Sequence, residues 1–154
     1  MTQDTKTIQV ASLEELAAVA SEIANQLSAG SVLLLRGNLG SGKTTFTQAL
    51  AAALGIKEPV TSPTFTIVGE YEVPARDDIS YLVHIDLYRI PGDQHGVDRE
   101  YIAEVIDTAK VNKRVVVIEW PERLDMTVDN AWEISFELGE SETQRILTII
   151  KKRV

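Results

Sequence analysis

Eight consecutive residues, Gly37-Asn38-Leu39-Gly40-Ser41-Gly42-Lys43-Thr44, satisfy the pattern G-x-x-x-x-G-K-[ST]. The chemistry of that pattern is anion capture. Its glycines let successive backbone N–H groups turn inward where a Cβ would clash. A helix beginning at the lysine aims its positive end at the same point. Lys43 has the reach to meet β- and γ-phosphate oxygens, and the Thr44 hydroxyl can ligate Mg2+. A chance match is improbable at ordinary glycine abundance, and the flanking residues make it less probable still.

A magnesium ion held only by Thr44 and phosphate calls for a carboxylate nearby. Two acids stand directly after apolar runs of strand length. Val115-Val116-Val117-Ile118 ends at Glu119, and Tyr81-Leu82-Val83-His84-Ile85 ends at Asp86. In a parallel sheet such positions lie at the carboxyl ends of strands, where ligands bind. One of the two should hold magnesium, and the other could orient water or contact a magnesium-bound water; spacing does not say which. The plainer alternative for each is a strand-end acid facing solvent.

Other residues carry weaker signals. Ser62-Pro63-Thr64-Phe65-Thr66 is rich in hydroxyls and could sense a γ-phosphate, although Ser-Pro also favours an ordinary turn. Trp120, directly after Glu119, could stack on a ligand or a partner, although burial tendencies favour core filling. His84, inside a strand, reads as structural. His95 has no evident partner, and Glu70 with Glu72 reads as a solvated strand face.

The elements that must position these groups follow from periodicity. Thr7–Ala11 reads as a short first strand. Ser12 then opens a helix, with Glu15 at the spacing of a capping box. Leu13, Leu16, Val19, Ala20, Ile23 and Leu27 form its apolar stripe, and Gly30 suits its C-terminal cap. Ser31–Arg36 is a buried strand leading straight into the glycine loop, and Thr44–Leu54 is a helix ended by Gly55. Strand, glycine loop, helix is the context the motif requires.

Further on, Thr64–Glu72 and Ile79–Ile85 read as strands pairing in a hairpin. Ile90–Asp98, with Pro91, Gly92 and Gly96, reads as a loop, and Arg99–Ala109 as a helix. Val115–Ile118 is a strand, Pro121–Leu124 a short turn. Ala131–Leu138 and Arg145–Lys151 form a hairpin around Gly139-Glu140-Ser141-Glu142. The expected fold is a single α/β domain over 1–154: a three-layer P-loop NTPase, its mixed sheet parallel at the centre with antiparallel flanking strands.

Composition bounds the function. The chain has 154 residues, enough for one core without staples. The absence of cysteine excludes disulfides, zinc–thiolate sites and a cysteine nucleophile. No apolar stretch could serve as a signal peptide or cross a bilayer, so a cytoplasmic location without membrane contact is expected. The net charge of −8 speaks against autonomous nucleic-acid binding. The basic cluster Lys151-Lys152-Arg153 reads as a solvated end. An acidic surface suits a basic partner instead.

Four stretches in order, GNLGSGKTT (37–45), SPTFTIV (62–68), HIDLYR (84–89) and IEWPER (118–123), together resemble the TsaE family, also called YjeE. They cover about the middle two-thirds of the chain. The resemblance implies a small bacterial ATPase, weak alone and stimulated in complex. It would be needed for N6-threonylcarbamoyladenosine at position 37 of tRNA and would act through the TsaB–TsaD heterodimer, without binding tRNA itself. It further implies ATP or ADP with Mg2+ as ligands. Phosphate would lie on Asn38, Leu39, Gly40, Ser41, Gly42, Lys43, Thr44 and Thr45, and the metal on Thr44 and Glu119. Lys43, Asp86 and Glu119 would be the catalytic groups. Trp120 would lie at the nucleotide or the partner surface, and Ser12 and Arg145 are the candidates for adenine contact. The same resemblance strengthens the switch reading of Ser62–Thr66.

Three rivals share the motif. A small-molecule or nucleoside kinase would need an arginine-bearing lid, and no segment reads as one. A GTPase would need Asn-Lys-x-Asp, whereas Asn112-Lys113-Arg114-Val115 lacks the aspartate. A nucleotide-gated adaptor that does not hydrolyse uses the same cradle.

Overall fold

A computed structural model describes residues 2–61, 68–88, 95–124 and 126–153. The chain builds one mixed sheet in the order β1-β7-β6-β2-β5-β4-β3. The strands are β1 (Thr2–Val10), β2 (Val32–Gly37), β3 (Val68–Glu72), β4 (Tyr81–Asp86), β5 (Arg114–Glu119), β6 (Trp132–Leu138) and β7 (Arg145–Arg153). At the centre β6, β2, β5 and β4 run parallel. The pairs β1–β7, β6–β7 and β3–β4 are antiparallel. Both hairpins expected from the sequence are present.

The strands β2, β5 and β4 are apolar through most of their length because both faces are covered, whereas β6 alternates and buries Trp132, Ile134 and Phe136. On one face Leu33, Leu35, Leu82, Val115 and Val117 pack with residues of α1 (Leu13–Ala24) and α2 (Lys43–Ala53). On the other, Val32, Leu34, Val83, Val116 and Ile118 meet Ile102 and Val105 of α3 (His95–Thr108). Side chains alternate along a strand, so His84, Asp86 and Glu119 share the face of Leu82 and Val117, under α2. Register completes the placement: Glu119 lies beside Leu35 of β2 on one side and Asp86 of β4 on the other.

Several boundaries differ from expectation, each for a local reason. The first strand is longer than Thr7–Ala11, because its polar first half pairs with β7 as an edge strand and needs no apolar alternation. Helix α1 stops at Ala24 and is capped at Asn25, not at Gly30. Gly30 adopts φ +92° later, where a Cβ would stand 3.0 Å from the Cβ of Lys110. Leu13 leaves the apolar stripe and is 72% exposed, while Leu16, Val19, Ala20 and Ile23 are buried. Helix α3 begins at His95, inside the expected loop: Gly96 falls in its first turn and not in the helix interior, and burial of Ile102 and Val105 anchors the helix that follows. Lys151-Lys152-Arg153 is the end of β7 and not a free tail, and the Lys151 ammonium lies 4.7 Å from the centre of the Trp132 ring. Glu70 is not merely solvated, because its carboxylate pairs with Arg114 at 3.4 Å. The switch segment Ser62–Thr66, with the start of the strand expected at Thr64, lies outside the described residues.

The Ser12 cap also takes a variant form. Ser12 Oγ accepts the Glu15 N–H at 3.1 Å, but the Glu15 carboxylate accepts the N–H of Ala11, one residue before the expected one.

Candidate functional site

Polar side chains avoid protein interiors unless paired. Among the described residues the buried polar ones are Ser41, Lys43, Thr47, His84 and Glu119. All gather where β2 passes into α2 and the central strands end. A cavity of about 800 Å3 opens there.

The loop is shaped by its glycines. Gly37, Gly40 and Gly42 have φ of +157°, +79° and +110°. Close approach matters most at Gly37, where a Cβ would come within 2.5 Å of Ser41 Oγ and 2.9 Å of the Phe136 carbonyl oxygen. Gly42 is the N-cap of α2 and supplies no side-chain acceptor. The first N–H groups of that helix therefore keep their donor capacity and their share of the helix dipole for a ligand. The loop is braced from β7: Arg145 Nε donates to the Ser41 carbonyl at 3.1 Å. Its Nη1 donates to the Glu142 and Gln144 carbonyls.

Lys43 is folded against this loop. Its ammonium donates to the Gly37 and Asn38 carbonyls and lies 3.8 Å from the centre of the Trp120 ring. Burial pushes its pKa below 10.5, opposed by the carboxylates of Glu119, Glu122 and Asp86. Lys43 is thus a desolvated cation facing three acids.

Thr44 and Glu119 meet. The Thr44 hydroxyl lies 3.0 and 3.2 Å from the two carboxylate oxygens of Glu119. Glu119 Oε2 is also 2.5 Å from Nε2 of the fully buried His84. Asp86 caps the turn after β4, where Oδ1 accepts the Tyr88 N–H at 3.0 Å. The Tyr88 ring packs on Trp120 with centres 5.1 Å apart.

Trp120 is the N-cap of the 3-10 turn Pro121–Arg123 and adopts φ +59°, ψ +48°. A left-handed conformation at a bulky residue costs on the order of 1–3 kcal/mol. Here it turns the ring into the cavity, so Trp120 is wall and not buried core.

The cavity brings together Ser12, Leu39, Gly40, Gly42, Lys43, Thr44, Thr45, Asp86, Glu119, Trp120 and Arg145. Asn38 and Ser41 do not line it. Asn38 is exposed, and Ser41 is buried beneath the loop. Sequence reasoning missed Leu13, Tyr88, Glu142 and Thr143, which also face the cavity. It missed the contact of His84 as well. One signal was available for that contact: His84 stands two residues before Asp86, hence on the same face of a strand. Asn112-Lys113 sits at the amino end of β5, opposite Glu119, and does not approach the cradle.

A mixed α/β protein whose glycine loop, buried lysine, hydroxyl and carboxylates converge at the carboxyl ends of parallel strands is the class that fold and site define. The chain belongs to the TsaE family: the family model described as threonylcarbamoyl adenosine biosynthesis protein TsaE matches residues 10–147. It is 44% identical over 120 residues to the tRNA threonylcarbamoyladenosine biosynthesis protein TsaE of Aquifex aeolicus, covering 77% of this chain and 78% of that one. It is 33% identical over 149 residues to the Bacillus subtilis protein of the same name, covering 91% and 83%. Against the Nostoc protein of that name the match, 43% identical, takes in 64% of this chain and 57% of the relative, little more than half its length. Among solved structures it resembles Bacillus subtilis YdiB, with a TM-score of 0.74 and 27% identity over 99% of this chain and 89% of that one.

Proposed function

We propose that this chain is a single-domain, three-layer P-loop NTPase that binds ATP and ADP with Mg2+ and hydrolyses ATP slowly. In this reading it serves the formation of N6-threonylcarbamoyladenosine at position 37 of tRNA, in the cytoplasm, by docking on a TsaB–TsaD heterodimer. The observation that carries the nucleotide reading is the meeting of Thr44 with Glu119 beside Lys43, at a helix start without a side-chain cap. Family membership supports the pathway.

The donor set suits magnesium. A hydroxyl and a carboxylate are hard oxygen ligands, and magnesium in nucleotide sites takes few ligands from protein and the rest from phosphate and water. Among the described residues no group of three or more His, Cys, Asp or Glu side chains could hold a metal alone. Thr44 and Glu119 would hold the ion, which when bound neutralises charge on the β- and γ-phosphate oxygens.

The residues divide the remaining work. Lys43 exchanges the loop carbonyls for phosphate oxygens. The first N–H groups of α2 receive the rest of the phosphate charge. Asp86, beside Glu119 and partly exposed in the cavity, orients water and accepts its proton. Trp120 and Tyr88 form an apolar wall that excludes bulk water. Ser12 and Arg145, which also line the cavity, would contact the adenine.

Reconstitution of the tRNA modification tests this. With TsaB, TsaD, a threonylcarbamoyl donor and tRNA present, adding this chain with Mg-ATP should turn a single round of modification into many. Equal modification with and without the chain would refute the pathway assignment. No heat on titration with Mg-ATP would refute the nucleotide reading.

A further inference from the structure

We infer that His84 is a positioning residue for the magnesium site, acting through Glu119; this rests on the nucleotide reading above. His84 is fully buried in β4, next to β5 in the sheet, and its Nε2 lies 2.5 Å from Glu119 Oε2. Its Nδ1 is buried with no hydrogen-bond partner.

That asymmetry selects a tautomer. With the proton on Nε2, the ring donates to the Glu119 carboxylate, and only a lone pair is left unmet at Nδ1. With the proton on Nδ1, a buried N–H would be orphaned and two acceptors would face each other across 2.5 Å. The first arrangement is favoured by the full cost of an unmade hydrogen bond. His84 therefore pins Oε2. Thr44 Oγ1 lies on the cavity side, 3.0 Å from Oε1 and 3.2 Å from Oε2. A carboxylate gripped from behind by one oxygen offers the other in a fixed direction. Outer groups that orient a ligand in this way typically change metal affinity about 10–100-fold.

A core histidine that merely fills space is the competing explanation, and geometry separates the two. Glutamine can place an amide N–H near the position of Nε2, whereas asparagine reaches only as far as Nδ1. The experiment is calorimetric titration of ATP at a series of Mg2+ concentrations, and again in EDTA. It compares the unsubstituted chain, His84→Gln, His84→Asn and His84→Leu, with melting temperatures measured in parallel.

His84→Leu and His84→Asn should raise the Mg2+ concentration needed for half-maximal tight binding by about tenfold or more. ATP binding in EDTA should stay the same, and His84→Gln should recover most of the loss. In a Glu119→Ala background His84→Leu should shift the magnesium requirement no further. If His84→Leu does not fold, the Gln and Asn pair carries the comparison alone. An unmoved magnesium requirement overturns the proposal, as does an equal shift in Gln and Asn, or a shift that persists without Glu119. If the unsubstituted chain shows no magnesium-dependent ATP binding, the proposed function fails first and the role of His84 with it.

Discussion

Asp86 and Glu119 are register partners at the ends of adjacent parallel strands, β4 and β5, on one face of the sheet. Their surroundings differ. Glu119 is buried against Thr44 and His84. Asp86 is partly exposed and holds the Tyr88 N–H. Two neighbouring carboxylates in unlike settings invite unlike roles. Glu119→Ala should raise the magnesium requirement for ATP binding. Asp86→Ala should leave that requirement close to normal and lower turnover by about 100-fold, the usual scale for losing a positioned base. Magnesium titrations of binding and of phosphate release check the split.

Lys43 illustrates function set against stability. Its ammonium is desolvated, with a pKa lowered by burial. Lys43→Met keeps the packing of the stem and removes the charge. Affinity for Mg-ATP should fall at least tenfold, since charge-assisted hydrogen bonds contribute about 1.5–3 kcal/mol. The melting temperature should hold or rise. Calorimetry and thermal unfolding of the same preparation test both halves, and a large loss of stability would contradict the account.

Two glycines of the loop separate space from backbone strain. Gly40→Ala meets nothing within 4 Å but must adopt φ +79°, a strain of roughly 1–2 kcal/mol. Gly37→Ala collides with the Phe136 carbonyl, which belongs to β6 and cannot move without breaking the ladder with β2. The Gly37 substitution should destabilise more, by about 1–3 kcal/mol through overpacking. Urea unfolding of the two variants gives the order.

Arg76, in the connection between β3 and β4, caps α1 from a distance. It donates to the Ala24 and Leu27 carbonyls at 2.8 Å each, and Asp78 holds its guanidinium at 2.7 Å. Arg76→Ala should cost about 1–2 kcal/mol, the net worth of such bonds. Asp78 is pulled below its ordinary 3.8 by the hydrogen bond from Arg76. A carboxyl depressed in the folded state adds stability above its unfolded value and loses it as pH falls through the folded one. The stability gap between the parent and Asp78→Asn should therefore shrink below about pH 4. The contribution is small because Asp78 is exposed.

Charge makes a separate prediction. With a net charge of −8, the chain alone should not shift tRNA in a native gel at physiological salt. Its binding to TsaB–TsaD should weaken as salt rises. Tight tRNA binding by the isolated chain would contradict the proposed mode of action.

The core elements were legible because their signals are local. Val115–Ile118 is a run that only a strand buried on both faces explains, and Leu16, Val19, Ala20 and Ile23 recur at helical spacing. The misread elements lack such signals. β1 is held by backbone pairing to a strand more than a hundred residues away, and neither its polar first half nor the end of β7 shows a pattern. Helix α3 takes Gly96 into its first turn, and burial of Ile102 and Val105 anchors the helix that follows.

By itself the sequence determined the make-up of the loop: a glycine-rich bend, Lys43 and Thr44 are contiguous, and the phosphate-binding role proposed for them was read from that spacing. It also narrowed the acids to Asp86 and Glu119, because each closes an apolar strand. Tertiary structure alone decided what those acids touch. Strand order and register put Glu119 against Thr44 and His84, turned Trp120 from filler into wall, and set Arg145 behind the loop as a brace. The physical reason is that contacts between distant residues depend on which strands become neighbours, and no local periodicity encodes that choice.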